Sequence, residues 1–485
     1  MISLIKFIIY TKKNYHSHAL SYRPSRTGRT LHDRELWALY QLGMYETVTQ
    51  ASVHRLRWRG LFAKTVSLAA CGQNGEARLM LQRFCQRPAW REHAELLADA
   101  LAPLLPKEAH GLLTRGVSPS PALLAAVQLR NGHTTEAQRV LSRTSPEDWQ
   151  RFPELPLFYT NAFGGAPAEQ LQRLNVFLSA HQVPILRLLD PTQPPSVMNV
   201  SAAAAGKPVH GPLVTVLMTT FRTGYRAMAA IESVLAQNYQ DLELIVVDDA
   251  SDDDTPVLVA NLARRDARIR LITLPRNVGT YVAKRIGLEQ ARGEFVTCHD
   301  SDDWMHPERL VRQVAPLLAD KRLIATTSDW VRIQDDGMFY ARPVHPLKRI
   351  NPASPLFRRE KVLRDTGAWD CVRTGADSEF LARLRVVYGP KAIKKIRQPL
   401  ALGCHRPDSL MTAAGTGYSD TGVSPHRLAY WEAWSHWHIT TLAQGKMPHI
   451  SSDIRTATLN RPFPVQNKQY IAADNLEACL LEALK

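Results

Sequence analysis

The stretch FVTCHDSDDW, Phe295 to Trp304, runs from an apolar, β-branched segment straight into three aspartates within four positions, Asp300, Asp302 and Asp303. Like charges so crowded repel one another unless water or a cation screens them. The apolar part reads as a buried strand and the acids as the loop at its carboxyl end. Runs of the same kind recur around it: LVTVLM (213–218), LELIVVDD (242–249), IRLIT (269–273) and RLIATTSD (322–329). Helical patterns over 227–237, 256–265, 280–291 and 307–318 separate them, with Pro256 and Pro307 suited to a first helical turn, where a missing N–H costs little. Strands alternating with helices predict βαβ units and a mostly parallel sheet. Ligands of such sheets bind beyond the carboxyl ends of the strands. Asp248 and Asp249 close one strand there and the 300–303 acids close another. A hard divalent cation, Mg²⁺ or Mn²⁺, which binds few protein oxygens and leaves room for phosphates, would reconcile the acids with one another. The plain alternative is a solvated loop in which Asp254 and Asp303 cap helices.

Upstream the pattern is different. Residues 31–190 carry apolar positions at helical spacing, as in LHDRELWALYQLGMYETVTQAS and PALLAAVQLRNGHTTEAQRVLSR. Glu76-Ala77, Glu108-Ala109 and Glu136-Ala137 recur at a spacing of about thirty, and two of them follow Asn74-Gly75 or Asn131-Gly132. This spacing resembles tetratricopeptide repeats, and an irregular helical bundle fits it nearly as well. Either implies packing or a protein partner, not chemistry. Residues 191–211, rich in proline and small side chains, read as a linker. The expected organisation is a weakly ordered start (1–30), an all-α region (31–190), the linker, an α/β domain (212–440) and a C-terminal extension (441–485).

The 485 residues exceed one ordinary domain, and 45% hydrophobic content is enough for real cores. The formal charge of +15 fits either an anionic partner or a basic solvated surface. The arginines are scattered without aromatic interleaving, which argues against nucleic acid. Six cysteines with no C-x-x-C pair argue against a disulfide framework or zinc site and fit a reducing, cytoplasmic setting. The start, MISLIKFIIYTKK, is too short in its apolar part to span a bilayer. Lys394, Lys395 and Arg397 read either as a contact with an anionic membrane, such as the cytoplasmic face of an inner membrane, or as a solvated strand edge.

The ordered series VTVLMTTFRTG, ELIVVDDASDDDT, NVGTYVAKRIGLEQARGEFVTCHDSDDWMHPERL, ASPLFRREKV, GADSEFLARL and HRPDSLMT closely resembles the family-two nucleotide-sugar glycosyltransferases of GT-A fold, over about 212–412. The resemblance implies a Rossmann-like domain that binds a nucleoside-diphosphate sugar, a UDP-sugar by preference. Thr219, Thr220, Phe221 and Arg222 fall where the family holds the nucleotide, and Asp249, preceded by Asp248, matches the residue that contacts the base. Asn277 and Gly279 open a segment whose usual arginine is Lys284 and whose usual asparagine is Arg285. Asp300, Ser301 and Asp302 match the D-x-D, so the resemblance implies a Mn²⁺ or Mg²⁺ site at Asp300 and Asp302, with His405 near it. Asp377 matches the catalytic base. Because Ala376 replaces an acid often found before it, Glu379 is a second candidate. Trp304, Trp330 and Trp369 are candidates for a sugar-stacking wall or for core packing alike.

The implied reaction is transfer, with inversion, to a hydroxyl of a glycan or lipid-linked acceptor in surface polysaccharide assembly such as capsule or lipopolysaccharide. A sugar-phosphate nucleotidyltransferase would need a glycine-rich loop after the first strand, and TTFRTGYR has one glycine. A non-catalytic reading makes the helical region an interaction module carrying a degenerate transferase domain.

Overall fold

In the computed structural model of the chain, the described residues are 2–23, 30–53, 55–115, 118–204, 206–406, 418–419 and 422–483. Residues 407–412 of the HRPDSLMT stretch lie outside them. The strands of the main sheet are β1 (Val214–Thr220), β2 (Leu242–Asp248), β3 (Ile269–Thr273), β4 (Phe295–Cys298), β5 (Trp304–Met305), β6 (Ala325–Ile333), β7 (Phe339–Tyr340), β8 (Arg349–Ile350), β9 (Leu356–Arg358) and β10 (Ile393–Cys404). Their order is β3-β2-β1-β4-β9-β6-β10-β5, with β7 and β8 added beside β6.

The long pairings are parallel: β3 with β2, β2 with β1, β1 with β4, and β6 with β10. β9 enters antiparallel between β4 and β6. This is the expected mostly parallel, Rossmann-like sheet. Both central strands are buried on both faces, as the continuous VTVLM and LIVV runs require. The register Thr220 to Asp248 and Leu217 to Cys298 brings the ends of β1, β2 and β4 to one edge.

Helices Tyr225–Leu235 and Arg309–Ala319 cover one face of the sheet. Helices Thr280–Glu289 and Ala376–Tyr388 cover the other. That second core also takes in Tyr430 and Trp434 of the helix Pro425–Ala443 and Ile450, Phe463, Ile471, Leu476 and Cys479 beyond it. The extension after 441 is therefore built into the α/β core.

The upstream region is helical as far as Ala180, as expected, and the short strand Leu186–Leu188 follows near its end. Its helices pack in consecutive pairs, among them Trp58–Ala70 with Asn74–Cys85, Pro121–Arg130 with Thr134–Leu141, and Leu155–Phe163 with Pro167–Ala180. Asn74-Gly75 is no turn: the helix starts at Asn74, and Gly72 at φ 78° makes the reversal. The first residues, expected to be weakly ordered, form helices Ile2–Lys12 and His16–Ser21, with Phe7, Ala19 and Leu20 buried against Leu36 and Leu39. The expected linker is also structured. Strand Val200–Ala202 pairs with Leu186–Leu188, and the Asn199 amide donates to the carbonyls of Asp190, Gln193 and Pro194.

One hydrophobic core joins the two halves. It runs from Ala126, Phe158 and Phe177 of the helical region to Trp304, Val331, Leu347, Leu400 and Leu402 of the sheet. Polar ties flank it. Glu154 accepts from the Leu347 and Lys348 amides, and Asn161 exchanges two hydrogen bonds with Phe339. Among the described residues no helix is long and apolar enough to cross a membrane.

Candidate active site

The crowded acids after β4 are held apart by cations of the chain itself. Asp300 Oδ1 lies 3.8 Å from Lys284 Nζ. Asp302 Oδ2 accepts from Arg406 Nε at 3.2 Å. Asp303 points inward and accepts the Cys404 amide at 2.9 Å. It caps no helix. Beneath the loop, buried Arg309 donates to the Cys298 carbonyl and the Thr297 hydroxyl and faces His299. Burial and Arg309 push the His299 imidazole down to about 3, so it is neutral. These contacts fasten the loop and partly neutralise its charge. Ser301 is buried and bonds Thr223 at 3.2 Å, which in turn meets Thr220.

Lys284 also lies 3.6 Å from Asp377 Oδ1, so one buried ammonium stands between the first acid of the D-x-D and the matched base. Burial alone would lower the Lys284 pKa, but Asp377 and Asp300 drive it well above its ordinary value. The Tyr281 hydroxyl donates to Asp377 Oδ2 at 2.9 Å. Tyr281 and Lys284 share a helix face at i, i+3, which lets both reach one carboxylate. Burial lifts the Asp377 carboxyl above the usual range and Lys284 pulls it back. Its side chain keeps 18% exposure, enough for a small group to approach.

Glu379 does not share that opening. It is fully buried, paired with Arg383 at 2.9 Å and with His438 at 3.1 Å. Two residues along a helix turn a side chain by about 200°, so Glu379 faces the helix Pro425–Ala443 and ties it down. The expectation of a second base is corrected on this ground.

At the end of β2, Asp248 is buried and accepts from the Ser251 amide and hydroxyl. Asp249 is occupied too: Oδ1 accepts the Val278 amide at 2.7 Å, and Oδ2 accepts the Gly279 amide at 2.8 Å and the Asn277 side chain at 3.0 Å. Burial raises its carboxyl to about 6. Its direct role in the structure is to grip the Asn277–Gly279 loop. Gly279, at φ 80°, adopts a conformation that glycine takes without strain. Thr219 meets Thr280 at 2.7 Å across the same gap. Phe221 is exposed at the rim, and Arg222 beside it is paired with Asp252. The expected Asp254 cap is absent; Asp253 accepts the Thr255 amide instead.

The expected metal set does not assemble as three residues. Among the described residues no group of three His, Cys, Asp or Glu side chains is arranged to hold a metal ion. His405 extends β10 beside β6, and its ring stacks on Tyr340 at 3.6 Å. Burial pushes it down to about 4. What that segment delivers to the acids is Arg406. Asp300 and Asp302 nevertheless remain a fitting pair of oxygen donors for a hard cation. Burial, then Asp300, keeps the Asp302 carboxyl raised despite Arg406, and Asp303 Oδ2 has no hydrogen-bond partner. Repulsion from Asp300 thus adds to burial in disfavouring charge on Asp302, which a bound cation would oppose. Of the three tryptophans, Trp304 and Trp369 are core residues, while Trp330 is partly exposed under Arg332.

Tyr281, Arg373 and Arg406 belong to the site and were not singled out from the sequence. Arg373 donates to the Asn277 side chain at 2.9 Å. The one-turn spacing of Tyr281 from Lys284 was a legible sign; the other two depend on distant segments meeting.

A family model described as glycosyl transferase family 2 matches residues 215–376. The putative colanic acid biosynthesis glycosyl transferase WcaA of Escherichia coli (strain K12) is 30% identical over 198 residues, 37% of this chain and 68% of that protein. The succinoglycan biosynthesis protein ExoO of Rhizobium meliloti (strain 1021) is 43% identical over 103 residues, covering 21% of this chain and 29% of that one. An uncharacterized glycosyltransferase of Haemophilus influenzae (strain ATCC 51907 / DSM 11121 / KW20 / Rd) is 36% identical over 126 residues, 26% of this chain and 50% of that protein. The chain thus spans half or less of several of the curated relatives it matches. Among solved structures, S. aureus TarS 1–349 in complex with UDP-GlcNAc aligns with TM-score 0.35 and 16% identity, over 47% of this chain and 66% of that one. On its match to the family model and its similarity to WcaA, the chain belongs to glycosyl transferase family 2.

Proposed function

We propose that this chain transfers a sugar, with inversion, from a nucleoside-diphosphate sugar to a hydroxyl of a glycan or lipid-linked acceptor. The donor in this reading is a UDP-sugar, and the setting is assembly of a surface polysaccharide. The observation that carries the reading is the Asp300–Lys284–Asp377 array: a partly exposed carboxylate, oriented by Tyr281 and a buried ammonium, one cation away from the acid loop. The setting is supported by WcaA and ExoO, which are named for colanic acid and succinoglycan biosynthesis.

Asp377 accepts the proton of the attacking hydroxyl. That oxygen bonds to the anomeric carbon on the face opposite the diphosphate, the bond from carbon to diphosphate oxygen breaks, and nucleoside diphosphate leaves. Attack from the opposite face inverts the centre, and the transition state has oxocarbenium character. Lys284 favours the ionised form of Asp377 against burial. The Asn277–Gly279 loop, gripped by Asp249, and the end of β1 line the donor side. Asp300 and Asp302 would hold Mn²⁺ or Mg²⁺, which when bound supplies Lewis-acid stabilisation of the leaving diphosphate.

The test is release of nucleoside diphosphate from a panel of nucleotide sugars with Mn²⁺ and acceptor glycans. Wild type is expected to release UDP, and Asp377→Asn to lose turnover while calorimetry still shows nucleotide binding. No release from any donor, or an Asp377→Asn protein at the wild-type rate, overturns the reading.

A further inference from the structure

The family match stops at residue 376, yet both loops that shape the site are held by residues near the C-terminus. Gln469, 3% exposed, makes three hydrogen bonds to the two residues ahead of Gly375. Its carbonyl accepts the Arg373 amide at 3.2 Å. Its Oε1 accepts the Thr374 amide at 3.0 Å, and its Nε2 donates to Thr374 Oγ1 at 2.9 Å. Asn475 donates to the Asn277 carbonyl at 3.2 Å, and Cys479 Sγ to the Arg276 carbonyl at 3.2 Å. The Ile471 side chain lies against Gly279, 3.7 Å from where a Cβ would stand.

The need for such support is visible in the backbone. The helix bearing Asp377 begins at Ala376, right after Gly375 at φ 93°. Glycine constrains the chain direction least of all residues, and no side chain caps this helix start. The orientation of its first turn, and so of Asp377, is set by whatever fixes Arg373 and Thr374. Gln469 does so on one side, and the Tyr430 ring, 3.1 Å from a Cβ placed on Gly375, closes the other. The Arg373 guanidinium, bonded to the Asn277 side chain, links this loop to the donor-side loop.

We propose that residues 466–480 are a working part of the active site, with Gln469 a positioning residue for Asp377 and Asn475 a positioning residue for the Asn277–Gly279 loop. The inference rests on the functional reading of those two loops. It assigns each support a different kinetic consequence: loosening the Asp377 turn lowers the chemical step, and loosening the donor loop weakens donor binding.

Gln469→Met keeps the length and fills the space but removes both side-chain hydrogen bonds. In the full chain it is expected to lower kcat by about tenfold or more, since misplacement of 1 Å can cost about a hundredfold, with little change in donor KM. Thr374→Val added to it is expected to cost little more. Asn475→Leu is expected to raise donor KM several-fold with kcat nearly kept. Hydrogen exchange reads the same displacement without turnover: faster at 374–378 in Gln469→Met and at 277–280 in Asn475→Leu, with the rest of the sheet unchanged. Wild-type exchange at both loops in the folded variants, or kcat and folded fraction falling in parallel for both, overturns the proposal. An inactive wild type with the expected exchange pattern would instead remove the functional reading and leave the two supports in place.

Discussion

The Lys284 ammonium lies 3.6 Å from Asp377 and 3.8 Å from Asp300, buried to 2% exposure beneath both. Because it favours the ionised form of Asp377, it sets the pH at which that carboxylate can act as a base. Burial has already raised the Asp377 pKa above the ordinary range. A base is lost as pH falls through its pKa, so the acid limb of kcat/KM should lie above that range. Lys284→Met removes the opposing effect and is expected to move the limb to still higher pH; Tyr281→Phe should move it the same way by less. A pH–rate profile checks both, and an unmoved or lowered limb in Lys284→Met contradicts the assignment of Asp377 as base.

Asp249 occupies both its oxygens with donors from the Asn277–Gly279 loop. Asp249→Asn keeps one acceptor and turns an amide donor toward a donor. Leaving a buried N–H unsatisfied costs about 1–3 kcal/mol, enough to displace the loop without unfolding the sheet. Donor KM is expected to rise about tenfold or more, as 1.4 kcal/mol corresponds to a factor of ten. Steady-state kinetics and a melting curve check it; wild-type KM would show that the grip on the loop does not matter for the donor.

The acid loop makes opposed predictions for metal dependence. Asp302→Asn removes an oxygen donor, so the Mn²⁺ concentration for half-maximal rate should rise at least about tenfold, the lower end of what even outer-shell ligand supports cost. Arg406→Met removes a cation 3.2 Å from Asp302 and should lower that concentration. Mn²⁺ titration after EDTA treatment measures both. Equal requirements in the two variants would show that these carboxylates hold no metal.

Glu379 and Arg383 form a buried ion pair away from the site, with His438 bonded to Glu379. Removing one partner of a buried ion pair typically costs about 3–5 kcal/mol. Glu379→Ala should therefore lower stability by about that much in denaturant titration, with the remaining folded protein turning over near the wild-type rate. A stable, inactive variant would return Glu379 to the chemistry.

How far these features could be read in advance depended on the range of the contacts. The continuous apolar runs of β1, β2 and β4 are local, and they placed the acids on one edge correctly. The crowding of Asp300, Asp302 and Asp303 was legible as an electrostatic problem. Its solution was only half legible, because Arg406 arrives from over a hundred residues away and Lys284 from a neighbouring helix. Glu379 sits two residues from Asp377, yet helix geometry turns it to the opposite side, where His438 and Arg383 wait. Gln469 and Asn475 carry no motif at all; only the packing of the C-terminal segment under the two loops makes them visible. The proline-rich stretch 191–211 read as a linker because it lacks an apolar period, whereas Asn199 and the short ladder to Leu186–Leu188 give it order.

The shared core of the two halves decides whether the transferase half can stand alone. Trp304, Val331, Leu347, Leu400 and Leu402 are buried against Phe158, Phe177 and their neighbours. Fully burying such a side chain is worth about 1.5–3 kcal/mol, and whole domains are stable by only about 5–15 kcal/mol. A fragment beginning at residue 212 loses the helical cover from several of these positions at once, together with the Glu154 and Asn161 hydrogen bonds to the Phe339–Lys348 segment. It is expected to aggregate, or to melt without a cooperative transition. Adding the helical region back as a separate chain should restore little, because the apolar face is exposed before the two can meet. Circular dichroism melts and size-exclusion chromatography of the fragment check this. A monomeric fragment melting cooperatively near the temperature of the full chain would mean that the helical region is a separable appendage and that the sheet carries its own stability.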